Sequence, residues 1–277
     1  MNNPLFSVII PAFNRAAFLK ISVESVLNQT LSDFELIIID DGSTDKTEKT
    51  IKEMKDKRIK YISQPHGGVS SARNKGLLAA KGKLISFLDS DDRFRKTKLE
   101  ITYNYIQKFP QIKIFHSNEI WYRNGSILTQ KEYHKKPQGD VFSQALRLCC
   151  ISISAATVLK EVFDETGLFD ETMEVCEDYD FWLRATAKYH VKLIPQALTL
   201  KEGGHSDQQS KRFPAMDKYR IYSINKLLQS NRLTETQREE TIKELKRKCA
   251  IYINGAAKRR KFNEVKYYTE LIEKLHK

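Results

Sequence analysis

Phe34-Glu-Leu-Ile-Ile-Ile-Asp-Asp-Gly-Ser-Thr-Asp45 is a short, almost unbroken apolar run that stops on two adjacent carboxylates and a turn. A run of this length and apolarity suits a strand covered on both faces. The same form recurs on either side of it. Leu5-Phe-Ser-Val-Ile-Ile10 comes before, and the shorter Ile59-Lys-Tyr-Ile62 and Leu84-Ile-Ser-Phe-Leu88 come after. Helical patterns fill the intervals from Ala16 to Asn28, Asp45 to Lys55 and Ser70 to Ala80, the second opening on a capping-box-like Asp45-x-x-Glu48. Strand–helix alternation with short connections predicts parallel pairing and right-handed crossovers. The class is therefore α/β, with polar loops gathered at the carboxyl ends of the strands, where such sheets bind ligands.

Beyond Phe109-Pro110 the pattern loosens. Ile112 to His116 reads as a strand, Asn118–Tyr122 with Ile127–Tyr133 as a hairpin around Asn124-Gly125, and Ile151 to Leu159 as another apolar run. Asp178 to Tyr189 is helical, with Phe181, Trp182 and Leu183 on its buried side. The polar stretch Lys201-Glu-Gly-Gly-His-Ser-Asp-Gln-Gln-Ser210 closes a first domain, residues 1–210. Residues 211–277 form a helical appendage with amphipathic segments at Phe213–Gln229, Thr236–Ile253 and Asn263–Leu275, and Thr234-x-x-Gln237 caps the middle one.

Charge separates the two parts. Residues 211–277 hold 18 Lys+Arg against 8 Asp+Glu, so this segment carries +10 of a total of +12. A nearly neutral first domain with a basic tail points to an anionic partner such as a membrane surface. No apolar run approaches the roughly 18–20 residues of a spanning helix. The start, Met-Asn-Asn-Pro, lacks the pattern of a secretory signal. Cys149, Cys150, Cys176 and Cys249 contain no CxxC pair, as expected of reduced thiols in a cytoplasmic protein.

Two acidic loops carry the chemistry. Asp40 and Asp41 follow the second strand, and adjacent carboxylates there repel unless donors or a cation occupy the site. A helix cap plus turn accounts for Ser43 or Asp45 but not for both Asp40 and Asp41. Asp89-Ser-Asp-Asp92 follows the fourth strand and reaches the same end of the sheet. Mg2+ or Mn2+ takes oxygen ligands and leaves room for substrate phosphates, so this cluster is a candidate cation site.

Phe6-Ser-Val-Ile-Ile-Pro-Ala-Phe-Asn-Arg15, Glu35-Leu-Ile-Ile-Ile-Asp-Asp-Gly-Ser-Thr-Asp45, Gly67-Gly-Val-Ser-Ser-Ala-Arg-Asn-Lys-Gly76, Ile85-Ser-Phe-Leu-Asp-Ser-Asp-Asp92 and Glu177-Asp-Tyr-Asp-Phe-Trp-Leu-Arg184 occur in the order and spacing of glycosyltransferase family 2, which the chain resembles over about two-thirds of its length. The resemblance implies the GT-A fold: a Rossmann-like, mixed but mostly parallel sheet flanked by helices. It implies an inverting transfer of a sugar from a nucleoside diphosphate sugar, UDP-linked by expectation, to a hydroxyl acceptor in cell-surface polysaccharide or glycan synthesis. Pro11, Phe13, Asp41, Arg73 and Asp89 are the implied nucleotide-binding residues, with Asn74 close by. Phe13 stands where a tyrosine often packs on the base, and a phenyl ring keeps the stacking while losing the hydroxyl. Asp91, with Asp92 as a further candidate, would hold the Mn2+ or Mg2+ that draws charge from the leaving diphosphate. Asp178 is the implied catalytic base, with Glu177 as the alternative; both open a helix, whose dipole favours ionised carboxylates. Asp180 is explained structurally by Arg184 at i+4.

His205 follows Gly203-Gly204 and is a candidate metal ligand. His66, His116, His134, His190 and His276 are read as structural. The acceptor is a saccharide, lipid-linked or protein hydroxyl, and the basic tail suggests peripheral contact with the inner face of a membrane. A sugar-phosphate nucleotidyltransferase would carry a Gly-rich phosphate loop where Pro11-Ala-Phe-Asn-Arg15 stands. The further alternative, a nucleic-acid-binding tail, shows no reading motif, and no nucleic acid is expected as a partner.

Overall fold

The apolar runs become the centre of a twisted sheet. In the computed structural model, which describes residues 3–204, 213 and 215–275, β1 (Phe6–Ala12), β2 (Phe34–Asp40), β3 (Ile59–Ser63) and β4 (Leu84–Phe87) lie parallel in the order β3-β2-β1-β4. The register pairs Ala12 with Asp40, so the loops after β1 and β2 leave the sheet side by side. The sheet continues as β8 (Ala156–Leu159), β6 (Ile114–Arg123), β9 (Val191–Gly203) and β5 (Arg93–Phe94), with β7 (Ser126–Leu128) hairpinned onto β6. Because β8 runs antiparallel to both β4 and β6, the strands β4, β6 and β9 all point the same way.

The period-two alternation of each strand feeds two cores. Ile9, Ile37, Ile85 and Phe87 meet α3 (Gly68–Ala79), α6 (Glu161–Thr166) and α7 (Glu177–Thr186) on one face. Phe6, Val8, Ile10 and Ile38 meet α1 (Ala16–Leu27), α2 (Thr47–Lys52) and α4 (Lys98–Lys108) on the other. The α/β sheet with helices on both faces is thus formed as the sequence predicts.

Several local expectations are corrected. Asp45 does not cap a helix through Glu48. Its carboxylate accepts the Thr47 amide at 2.9 Å and the Ala16 amide at 3.1 Å, stitching the start of α1 to this loop, and α2 is only six residues. The strand expected over Ile112–His116 and the hairpin arm after Asn118 are one strand, β6, because β9 runs beside it past an irregularity at Ser117–Asn118. The run Ile151–Leu159 makes a 3-10 turn at Ile153–Ala155 before β8. The sequence reading missed β9, which Pro195 and scattered polar residues disguise.

The appendage consists of α8 (Asp217–Leu228), α9 (Glu235–Lys258) and α10 (Phe262–Lys274). The Thr234 hydroxyl accepts the Gln237 amide and the Gln237 side chain accepts the Thr234 amide, completing the predicted capping box. Ile221, Ile224, Leu245 and Cys249 share one apolar cluster with Phe142, Leu146, Tyr179 and Leu183 of the sheet domain, where α5 (Phe142–Arg147) packs against α7. No helix among the described residues is long and apolar enough to cross a membrane, and the four cysteines are free thiols.

Candidate functional site

The adjacent carboxylates after β2 face opposite ways, as successive strand residues must. Asp40 is held by the Ser43 amide at 2.8 Å and the Tyr61 hydroxyl at 2.6 Å. Asp41 lines a cavity of about 660 Å³ at the carboxyl edge of the sheet. Its oxygens accept the Gln64 side-chain amide at 2.7 Å and the Gly67 and Gly68 amides at 2.9 and 2.8 Å. The carboxylate therefore sits on the N-terminus of α3, where the exposed amides favour an anion. Gly42 makes this approach possible: its φ is +79°, and a Cβ there would stand 2.9 Å from the His66 amide nitrogen.

His66, read as structural from the sequence, belongs to this cavity. Its ring stacks on Phe13 with centroids 4.1 Å apart, and its Nδ1 lies 2.8 Å from Asp41. Two aromatic faces over a carboxylate suit a planar heterocycle with a polar edge.

One turn into α3, Arg73 is 3 % exposed. It donates to Asp89 at 2.9 Å and pairs with Glu177, tying together α3, the acidic turn after β4 and the start of α7. Burial works against both charges. The neighbouring carboxylates nonetheless raise Arg73, and Arg73 and Lys201 hold Asp89 below the usual carboxylate range. Asn74, expected beside the nucleotide, is turned elsewhere. Its amide spans Phe169 and Glu171, donating at 2.9 and 2.8 Å and accepting from the Phe169 amide at 3.0 Å, so it fixes the segment that forms the cavity's lip.

The acidic turn is clamped from α1, where the Ser22 hydroxyl lies 2.7 Å from the carbonyls of both Ser90 and Asp92. Lys201 on β9, absent from the sequence-based list, provides the internal cation. Its Nζ lies 3.2 Å from Asp92, 4.0 Å from Asp89 and 3.1 Å from the Ser152 hydroxyl. Burial pushes Asp92 up to about 7 despite Lys201, with Asp89 and Asp91 adding to the rise. Asp91 lines the cavity, makes no ion pair with a described residue, and is raised by burial and then by Asp89. Asp92 Oδ2 is buried against Lys201, and its Oδ1 accepts the Glu202 amide at 3.2 Å. Crowded carboxylates, of which Asp91 faces the cavity with acceptor capacity unspent, fit a divalent cation at Asp91 with Asp92 beside it. Among the described residues no three His, Cys, Asp or Glu side chains are grouped as a complete metal site. His205, the expected further ligand, lies outside the described residues.

A second cavity of about 200 Å³ adjoins the first, since Arg73, Asp89 and Lys201 line both. Glu177 and Asp178 face it. Cys176 precedes them with φ +65°, a left-handed conformation that turns the chain sharply into α7. Glu177 is buried and committed to Arg73, whereas Asp178 is half-buried and, among the described residues, accepts the Tyr179 amide at 2.7 Å and the Cys149 thiol at 3.3 Å. Burial and Asp178 push the Cys149 thiol well above its ordinary range, so it stays a neutral donor. The Asp180–Arg184 pair forms as expected, at 3.0 Å, with Lys226 joining Asp180 at 3.2 Å.

A parallel α/β sheet whose acidic loops and buried arginine converge on one edge cavity defines a glycosyltransferase of the GT-A fold. The family model for glycosyl transferase family 2 matches residues 7–166, and the chain belongs to that family. It is 35 % identical over 214 residues to an uncharacterised glycosyltransferase of Rickettsia conorii, covering 72 % of this chain and 33 % of that one. The chain spans about a third of the length of the first curated relatives it matches. It is 34 % identical to the Escherichia coli UDP-Glc:alpha-D-GlcNAc-diphosphoundecaprenol beta-1,3-glucosyltransferase WfgD, over 70 % of this chain and 74 % of that one. Staphylococcus aureus TarS, solved with UDP-GlcNAc, superposes with a TM-score of 0.73 at 19 % identity, over 87 % of this chain and 70 % of that one. The mannosyltransferase PcManGT of Pyrobaculum calidifontis, solved with GDP-Man and Mn2+, gives 0.64 at 14 % identity, over 93 % and 76 %. At such identities the two structures establish the fold.

Proposed function

We propose that the chain is an inverting, metal-assisted glycosyltransferase that moves a hexose from a UDP-sugar to a hydroxyl of a lipid-linked saccharide in cell-surface glycan synthesis. The observation that carries this reading is the pair of adjoining cavities, one lined by Phe13, Asp41, Arg73 and Asp91, the other by Asp178. Pro11, Phe13 and His66 enclose the base, and Asp41 accepts its imide proton. Arg73 and Lys201 stand where the two cavities meet and face the diphosphate, with Asp89 holding both cations in place. A divalent cation held by Asp91 and Asp92 would supply Lewis-acid stabilisation of the departing diphosphate.

Asp178 takes the proton of the acceptor hydroxyl as its oxygen bonds to the anomeric carbon. The bond from that carbon to the diphosphate oxygen breaks on the opposite face, so the configuration inverts and UDP leaves. Glu177 is the poorer base because Arg73 already holds its carboxylate. The UDP donor and lipid-linked acceptor are supported by what the Escherichia coli relative is named for. Such an acceptor goes with work in the cytoplasm at the inner face of a membrane.

The test is nucleotide release across a panel of sugar nucleotides, with and without Mn2+. Release from a UDP-hexose that falls sharply in EDTA is expected. No release from any donor, together with no UDP binding by calorimetry, would overturn the reading.

A further inference from the structure

The two basic clusters of the appendage have different fates. Lys246-Arg247-Lys248 is largely spent. Lys248 is buried, donates to the Arg147 carbonyl at 3.0 Å and pairs with Glu244, which Arg247 also grips at 2.7 Å. Lys258-Arg-Arg-Lys261 is exposed throughout, at the turn joining α9 to α10. Lys261 pairs with Glu264 at 3.1 Å, while Lys258, Arg259 and Arg260 have no carboxylate within ion-pair distance among the described residues. At the end of this run stands Phe262, 69 % exposed, with Tyr267 61 % exposed one turn further on. Charge runs are commonly just solvated surface, but a solvated turn has no use for an uncovered phenyl ring among its cations. Basic side chains around an exposed aromatic are the composition of a lipid interface.

The hydrogen bonds of α9 fix where this turn points. The helix begins beside the end of α7, where Gln237 donates to the Ala187 carbonyl at 3.0 Å. It passes Ser143, which donates to Glu240 at 2.5 Å, and then reaches the Arg147 carbonyl through Lys248. Arg147 adjoins Cys149, whose thiol meets Asp178 at the start of α7. Thus α9 runs in the opposite sense to α7, and the helix from Lys248 to Lys258 carries the turn about 15 Å past the point where α9 meets Arg147.

We infer that the Lys258–Phe262 turn is a membrane-contacting tip. Phe262 enters the interfacial layer of a bilayer rich in anionic phospholipid, and Lys258, Arg259 and Arg260 contact its phosphates. The tip holds the Asp178 end of the enzyme towards the bilayer. Its purpose, delivery of a lipid-borne acceptor hydroxyl, rests on the proposed function, whereas the lipid contact itself does not.

The full chain is sedimented with vesicles of phosphatidylcholine alone and of phosphatidylcholine with phosphatidylglycerol, at low and at raised salt. Binding to the anionic vesicles and release by salt are expected, since each basic residue near such a surface strengthens attachment about fivefold. The double variant Arg259→Ser/Arg260→Ser is expected to bind them at least tenfold more weakly. Phe262→Ser is expected to weaken attachment by a factor that salt does not restore. Both variants keep the wild-type melting temperature and UDP affinity. Failure of the wild-type chain to bind anionic vesicles, unchanged binding by both variants, or tighter binding to a short RNA than to the vesicles would overturn the inference. UDP binding without vesicle binding refutes the tip alone, and vesicle binding without any nucleotide binding refutes the glycosyltransferase reading alone.

Discussion

Asp91 and Asp178 lie in adjoining cavities, and their surroundings give them different work. Asp91 makes no ion pair with a described residue and is raised by burial and by Asp89, with Lys201 and Arg15 opposing the rise through their charges. Asp178 is half-buried, accepts from an amide and a neutral thiol, and is the base in the proposed function. Asp178→Asn should therefore keep UDP affinity within about twofold while lowering transfer by about 10²–10⁴, the usual worth of a positioned base. Asp91→Asn should lose the Mn2+ dependence of UDP binding as well as transfer. Calorimetry beside single-turnover transfer separates the two, and wild-type transfer by Asp178→Asn would remove it from the base's role. Asp89, Asp91 and Asp92 were legible in the sequence because charges crowded at the end of an apolar strand are costly without a purpose, whereas Asp178 was reached only through the resemblance to the family. His66, Lys201 and Cys149 were not legible. Lys201 and Cys149 are single residues in segments without a motif, and His66 stands just outside the Gly67–Gly76 motif, so that the fold rather than a pattern in the chain marks them. Asn74 misled for the opposite reason: it adjoins Arg73 in a motif, but a helix turns consecutive residues about 100° apart, and its amide is spent on Phe169 and Glu171.

Among the elements, the four parallel strands and their helices could be read in advance because both faces of each strand are covered and the apolar signal is continuous. The far half of the sheet could not, since β6 and β9 each carry polar residues on one side. His116 on β6 shows what that polarity does. It is fully buried, and its Nε2 donates to the Pro137 carbonyl at 2.7 Å, pinning the 130–138 loop to the strand, while Nδ1 has no hydrogen-bond partner among the described residues. Burial, then the Lys136 charge, lowers the imidazole to about 4. In the unfolded chain its pKa returns to the ordinary 6.5. Between about pH 6.5 and 4 the unfolded state thus binds a proton that the native state refuses. Stability falls as pH falls through that window, at up to about 1.4 kcal/mol per unit. His116→Gln keeps a donor for Pro137 and removes the titration, so its urea-unfolding free energy should decline less steeply from about pH 7 to about pH 4.5. Identical slopes for the two proteins would show that His116 is not the group responsible.

At the scale of the whole molecule, the question is how the motif-bearing sheet and the motif-free helices behave together. Chain reading divides them at 210/211, because the motifs end there and the charge changes. Packing joins them. Leu245 and Cys249 of α9 are fully buried in the cluster that holds Tyr179 and Leu183 of α7, and the Tyr179 hydroxyl donates to the Leu146 carbonyl at 2.6 Å beneath them. Polar bonds reinforce the joint, with Lys226 reaching Asp170 at 2.5 Å and Tyr219 reaching Glu174 at 2.6 Å on the lip of the larger cavity. Since α7 begins with Glu177 and Asp178, the helices that cover it also support the end of the site where the proposed base stands. We therefore expect one cooperative unfolding transition. Trp121 and Trp182 report the sheet domain, while ellipticity near 222 nm weights the long helices of the appendage. The two signals should change together on heating, and UDP should shift both by the same amount because it binds only the folded whole. Leu245→Ala, which opens a cavity in the shared cluster, should cost about 2–5 kcal/mol and lower the tryptophan transition as much as the helical one. If ellipticity fell first while the tryptophan signal and its UDP shift stayed as in the wild type, the helices would be an independent unit, and a tip carried on them could not orient the active site.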